Sequence, residues 1–386
     1  MRSGAGSRSH LVRWVVAAIG AAILAGMASA QQELGFRRAA HLRHGINLSM
    51  WYAQAGDYSA ARLASYTTAV DFQLINDLGL DHVRLSINPA PLNADTQAGT
   101  SDVTLNPAAI ARLDETVRQI TSLGLVVVLD IHPEEDWKKN ATNTDDGTAR
   151  FFQFWTIFAH HFAGSDPEKV YFELLNEPEG VNGYRWAGEQ ARLIALVRAQ
   201  APRHTIVATG EGWGGIDGLL QLEPVRDGNV IYSFHDYEPM EFTHQGASWS
   251  SEWLKPLRGV PYPSSPEVVA PLLPGLVDDA ARKQLSGYGQ RRWSVATMQQ
   301  RIGLAVAWAK QRNVPLWCGE FGVYRAFASA EDRARWIVDM RRTLEADGIG
   351  WDMWDYQGGF ALVTKKDGKP VADPAVVQAL GLKLPR

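Results

Sequence analysis

Two glutamates stand where a carboxylate is costly to place. Glu177 follows an apolar run in "YFELLNEPEG", with Asn176 before it and Pro178 after it, and Glu320 follows another in "VPLWCGEFG". Taken alone, the first stretch reads equally well as a strand end capped by turn residues. Two such carboxyls together are harder to dismiss, because an unpaired carboxylate at a buried strand end suffers desolvation. Carboxyls held about 5 to 5.5 Å apart can perform retaining glycoside hydrolysis, one attacking the anomeric carbon and the other protonating the leaving oxygen. Their neighbours must then hold them in different protonation states. Arg84 and Tyr237 are suited to keeping Glu320 ionised, while Glu177 stays protonated at rest and later acts as base.

Other groups capable of chemistry recur at the ends of apolar runs. In chain order they are Asn47 and Trp51, Arg84, Asp130 and His132, Asn176 and Glu177, Glu211 and Trp213, His235 and Tyr237, Glu320, and Trp354. Each has an ordinary structural reading, such as an arginine pairing with a helix-end carboxylate or a histidine meeting a backbone carbonyl. Their shared position suggests one rim.

The elements that would place them there alternate from end to end. Strands are expected at 44–52, 81–87, 125–132, 169–178, 205–213, 229–239, 314–322 and 348–356, with amphipathic helices between them. In "PAAIARLDETVRQITSLG", Ile110, Leu113, Val117, Ile120 and Leu123 recur at helical spacing and Gly124 follows as a stop. Eight such alternations predict an α/β fold, a single (β/α)8 TIM barrel, in which chemistry sits on the loops after the strand ends. The segment from Pro239 to about Ser294 is rich in Pro, Ser, Trp and Gly and predicts an extended loop region after the sixth strand. Neither a G-x-G-x-x-G opening a helix after the first strand nor a G-x-x-x-x-G-K-[ST] occurs, so a dinucleotide or P-loop reading lacks its phosphate cradle.

The chain has 386 residues, 46% of them hydrophobic, enough for one large barrel core. A formal net charge of −4, without a long block of like charge, leaves nucleic acid and anionic membranes without an electrostatic footprint. Trp, with 14 copies, outnumbers Phe at 13 and Tyr at 11, and indole faces suit the C–H faces of sugars. Residues 1–30 carry arginines, the apolar run "WVVAAIGAAILAGM" and then Ala28-Ser29-Ala30, the pattern of a secretory signal peptide. The catalytic domain is then 31–386, exported to the periplasm or beyond, with an uncleaved anchor as the alternative. The lone Cys318 excludes an intramolecular disulfide and reads as a small apolar filler.

The set "HGIN", "VRLSI", "LDIH", "LLNEP", "FHDY", "WCGEFG" and "WDMWDY" resembles glycoside hydrolase family 5, the cellulase-type family of retaining β-glycanases, over about residues 40 to 360. The resemblance implies Glu177 as acid/base, Glu320 as nucleophile and Asn176 as the group bonding the sugar 2-hydroxyl. It implies Arg84, His132, His235 and Tyr237 as supporting groups and Trp354 as the aromatic platform under the attacked sugar. The implied substrate is a β-linked polysaccharide or oligosaccharide, foremost a β-1,4-glucan, with mannan, xyloglucan, mixed-linkage or β-1,3-glucan as alternatives. No cofactor and no metal is expected, and a monomer is. Two competing readings are a metal hydrolase using His132, Glu177, His235 and Glu320, which lacks H-x-H and H-E-x-x-H spacing, and a non-catalytic carbohydrate-binding barrel, which would have no need of both carboxylates.

Overall fold

A computed structural model describes residues 33–93, 103–180 and 183–385. The expected signal peptide lies outside the described residues. Eight parallel strands close into a barrel in sequence order: β1 (His44–Tyr52), β2 (His82–Ile87), β3 (Val126–Ile131), β4 (Val170–Glu173), β5 (Thr205–Thr209), β6 (Val230–His235), β7 (Leu316–Phe321) and β8 (Gly350–Met353), with β8 pairing back onto β1. The helix expected after Asn106 runs Pro107–Ser122, capped by the Asn106 side chain, with Ile110, Leu113, Val117 and Ile120 buried. Gly124 supplies the left-handed turn after it, at φ 91°.

Period-2 alternation sorts every strand into two faces. Val127, Leu129, Phe172, Ile206, Phe234 and Cys318 join the large apolar core between strands and helices. Val126, Val128, Tyr171, Val207, Ile231 and Trp317 form a second, smaller cluster inside the barrel. The inner series continues towards the strand ends as Arg84, Asp130, Glu173 and His235, all buried. The barrel interior is thus apolar at one level and charged above it.

Glu320 breaks this alternation. Cys318 and Phe321 both belong to the outer core, and the register of β7 shifts between them. Two residues, Gly319 and Glu320, therefore fill the place of one, and the bulge turns Glu320 inward. Without it, the carboxylate would face the helices.

Several expected boundaries move. The fourth strand ends at Glu173, not 178, so Asn176 and Glu177 lie on an irregular strap beyond it. The fifth, sixth and eighth strands likewise stop at 209, 235 and 353. The 239–294 segment is not one loop, since it holds the helix Asp279–Arg291 and several shorter helical turns. A hairpin, β9 (Val363–Lys366) with β10 (Lys369–Ala372), follows the barrel and was not anticipated. Trp51 is buried, its indole donating to the Leu63 carbonyl at 2.9 Å, and packs in the core rather than lining the mouth. Cys318 is buried as the filler reading expected. Among the described residues, no helix is long and apolar enough to cross a membrane.

Inside the barrel, away from the charged end, His82 lies between Asp81 and Asp352, one carboxylate on each ring nitrogen. Burial opposes its charge, but the two carboxylates outweigh burial and raise it to about 9. A folded value above the unfolded 6.5 means stability fully present below pH 6.5 and lost as pH rises through about 9. Unfolding free energy measured from pH 6 to 10 is expected to decline over that window, and the decline to be flatter in His82→Gln. An equal slope in both proteins would contradict the ion pair.

Candidate active site

The charged layer is organised by Arg84. Its Nε and Nη2 donate to the two oxygens of Glu173 at 2.6 and 2.9 Å, and its Nη1 reaches Glu320 Oε1 at 2.5 Å and Asn47 Oδ1 at 2.8 Å. Nη2 also reaches Asn176 Oδ1 at 2.9 Å and Asp130 Oδ2 at 3.0 Å. One fully buried guanidinium thus ties together groups carried by or just after β1, β3, β4 and β7, a task for which five donors in a planar fork are suited. Burial works against its charge, and the carboxylates of Asp130, Glu173 and Glu320 more than restore it.

Because Asn176 Oδ1 accepts from Arg84, its Nδ2 is the donor to His132 Nε2, at 3.1 Å. The proton of His132 must then sit on Nδ1, which faces Asp130 Oδ2 at 2.8 Å. Burial lowers His132 to about 3, so the ring is neutral. Trp354 stacks on it with centroids 5.7 Å apart and planes at 23°.

Glu320 accepts on both oxygens, from Arg84 on Oε1 and from the Tyr237 hydroxyl on Oε2 at 2.7 Å. Burial and then the charges of Glu320 and Glu177 push Tyr237 well above its usual range, which keeps it a donor. Glu177 keeps 24% of its side chain exposed and takes a left-handed φ of 45°. Such strain in a non-glycine residue persists only where the surroundings enforce it, and it gathers at functional sites. His235 Nδ1 lies 3.1 Å from Glu177 Oε1 and 3.6 Å from Glu320 Oε2. Burial lowers His235 to about 4, so one proton serves its contact with Glu177. Burial raises the Glu177 carboxyl above its ordinary value, opposed chiefly by Lys138.

One oxygen of Glu177, one oxygen of Glu320 and a nitrogen of His235 all lie within 4.8 Å of one another. By distance alone the three suit a cation. However, both oxygens of Glu320 already accept from Arg84 and Tyr237, and Nδ1 of His235 is engaged by Glu177, so a cation would have to displace these contacts. His132, the fourth ligand of the metal reading, lies outside that trio, with both ring nitrogens engaged.

The structure brings Arg84, His132, Asn176, Tyr237 and Glu320 into one hydrogen-bonded network, sets the hydrogen-bonded pair of Glu177 and His235 beside it, and stacks Trp354 on His132. Glu211 stays outside the carboxylate network and accepts instead from the Gly180 backbone at 3.3 Å. Trp213 projects from the rim, 63% exposed. Glu173 was missed, although its position two residues after Tyr171 in a period-2 run marks it as inward-facing. Burial raises both Glu173 and Asp130 to about 7, against the pull of Arg84.

The chain matches the family model described as cellulase (glycosyl hydrolase family 5) over residues 44–359. It is 26% identical to endoglucanase C of Acetivibrio thermocellus, the alignment covering 86% of this chain and 96% of that protein. Cellodextrinase A of Ruminococcus flavefaciens is 28% identical, with 79% and 82% covered. Among solved structures, endoglucanase Cel5A of Thermotoga maritima superposes with a TM-score of 0.73 at 24% identity, over 90% of this chain and 99% of that one. A cellulose synthase subunit of Clostridioides difficile gives 0.72 at 23% identity, with 88% and 99% covered.

Proposed function

The chain belongs to glycosyl hydrolase family 5, and from that membership and the geometry of its site we propose a retaining endo-β-1,4-glucanase, with Glu320 as nucleophile and Glu177 as acid/base. The observation that carries the retaining part of this reading is the approach of the two carboxylates, an oxygen of one lying within 4.8 Å of an oxygen of the other, as the short separation of a retaining pair requires.

In the first step Glu320 attacks the anomeric carbon while Glu177 gives its proton to the departing oxygen, forming a glycosyl ester on Glu320. In the second, Glu177 takes a proton from water, which attacks the same carbon and releases Glu320. Arg84 and Tyr237 each donate to one oxygen of the Glu320 carboxylate and so limit its rotation. Asn176 spends one Nδ2 hydrogen on His132 and has a second for the sugar 2-hydroxyl. Trp354 offers its indole to the attacked sugar, and the rim indole Trp213 is free to meet the leaving side.

Relatives named endoglucanase and cellodextrinase support an unsubstituted β-1,4-glucan over mannan, xyloglucan, mixed-linkage or β-1,3-glucan. The apolar run and Ala28-Ser29-Ala30 near the N-terminus support export. Reducing-sugar release from a panel of soluble polysaccharides, with product lengths resolved, tests the reading. Mixed short oligosaccharides from carboxymethylcellulose are expected early in the reaction. A strong preference for mannan, or release of a single product from one chain end, would overturn it.

A further inference from the structure

The strap that carries Glu177 is anchored from two sides. On one side, Glu211 Oε1 accepts from the Gly180 backbone and the Gly212 backbone donates to the Pro178 carbonyl at 3.1 Å. On the other lies the helix Glu135–Asn143, which follows β3. Thr142 Oγ1 and Asn143 Nδ2 donate to the Glu179 carbonyl at 2.8 and 3.3 Å. From the same helix, Lys138 Nζ meets Glu179 Oε1 at 2.8 Å, with the two side chains only 8% and 17% exposed.

A lysine buried to this degree gives up most of its hydration, which an ordinary helix surface position does not require. The left-handed conformation of Glu177, a non-glycine residue, is strained and must be imposed from outside the residue. Glu179, two positions along, is the point at which the helix grips the strap with three side chains.

We propose that Lys138 is a positioning residue for proton transfer, holding the 176–180 strap through Glu179 so that the Glu177 carboxyl is aimed at the leaving-group oxygen. This rests on the reading of Glu177 as the acid/base. Glu177 is faced by His235 from β6, Glu320 from β7, Arg84 from β2, His132 just past β3, Lys138 from the helix and Glu179 from its own strap. Lys138 touches neither Arg84 nor Tyr237, the groups that hold the nucleophile, whereas both its grip on Glu179 and its charge bear on Glu177, so its loss acts on proton delivery rather than on nucleophilic attack.

That division gives the proposal a signature that a general packing role lacks. kcat/KM reports events up to formation of the glycosyl-enzyme. An oligosaccharide leaves as an alkoxide and needs the proton, whereas a 2,4-dinitrophenyl glycoside leaves unaided. Lys138→Met and Glu179→Gln are each expected to lower kcat/KM on a cello-oligosaccharide about 10- to 100-fold, the range for a misaimed general acid, with little change on the dinitrophenyl substrate. Lys138→Arg should restore most of the loss. Equal losses on both substrates, or no loss on either in both variants, would overturn the proposal. Glu179→Gln guards against a folding defect, since its partly exposed position tolerates a neutral amide. Glu177→Ala run in parallel separates the two readings. If it shows the leaving-group selectivity and Lys138→Met does not, only the role of Lys138 falls; if Glu177→Ala itself lacks it, the assignment of the acid/base falls.

Discussion

Replacing Glu320 by alanine is expected to cut turnover by on the order of 10⁴- to 10⁶-fold, the scale seen when a catalytic nucleophile is removed. No glycosyl-enzyme can then form, and azide can enter only from the opposite face, giving an inverted α-glycosyl azide from an activated substrate. Glu177→Ala should behave differently. A dinitrophenyl glycoside still glycosylates Glu320 without a proton, so the intermediate accumulates, and azide restores turnover with retained β-configuration. On oligosaccharides the same variant should lose about 10²- to 10⁴-fold, the usual worth of general acid–base catalysis. Product anomers read by NMR, together with mass spectrometry of the trapped protein, distinguish the two. The opposite pattern would exchange the roles, and full activity in both variants would remove the catalytic assignment. These roles follow from who holds each carboxylate: Glu320 accepts at both oxygens from Arg84 and Tyr237, while Glu177 meets only His235 among the network's side chains.

The second large effect is expected at Arg84. Its guanidinium is the shared counter-charge of Asp130, Glu173 and Glu320, all buried. Arg84→Met removes the cation and leaves the carboxylates, and breaking a buried pair from one side costs about 3–5 kcal/mol. Urea denaturation should show that loss at neutral pH, with activity falling alongside it because Glu320 and Asn176 lose their common donor. Part of the lost stability should return on acidification. Without Arg84, burial raises Asp130 and Glu173 still further, and a folded value above the unfolded one makes the protonated, low-pH state the stable one. Arg84→Lys should recover only a fraction, since an ammonium supplies charge but not the fork that spans Glu173 and Asn176 together. Unchanged stability and activity in Arg84→Met would contradict the central place given to this residue.

Much of the molecule was legible in its residues because the information is local. Strand–helix alternation depends on apolar periodicity, and all eight barrel strands fall within the expected ranges. The Asn106 cap and the Gly124 stop act within one turn of the helix they bound. Residues at the ends of apolar runs could be gathered into one rim because a parallel barrel sends every strand end to the same side. Boundaries failed where chemistry overrides pattern. "LLNEP" continues the apolar run of β4, yet pairing stops at Glu173 and the chain departs as a strap.

The closed barrel and a shared rim of polar and aromatic groups were thus legible along the chain, although the expected rim also held Trp51, which packs in the core, and Glu211, which stays apart from the carboxylates. How the rim residues are aimed and charged depends on contacts that no local pattern records. Alternation counted from Cys318 puts Glu320 on the helix side, and a register shift against β6 and β8 turns it inward. Glu173 looks like one more carboxylate in a strand until Arg84, 89 residues earlier, is found bonded to both its oxygens. Nothing local in the sequence pairs Lys138 with Glu179, which the fold buries against one another. The physical reason is common to all three cases. Periodicity records which faces are apolar, whereas bulges, buried ion pairs and imposed backbone strain arise from partners distant in sequence, and their energies exist only once the barrel has closed.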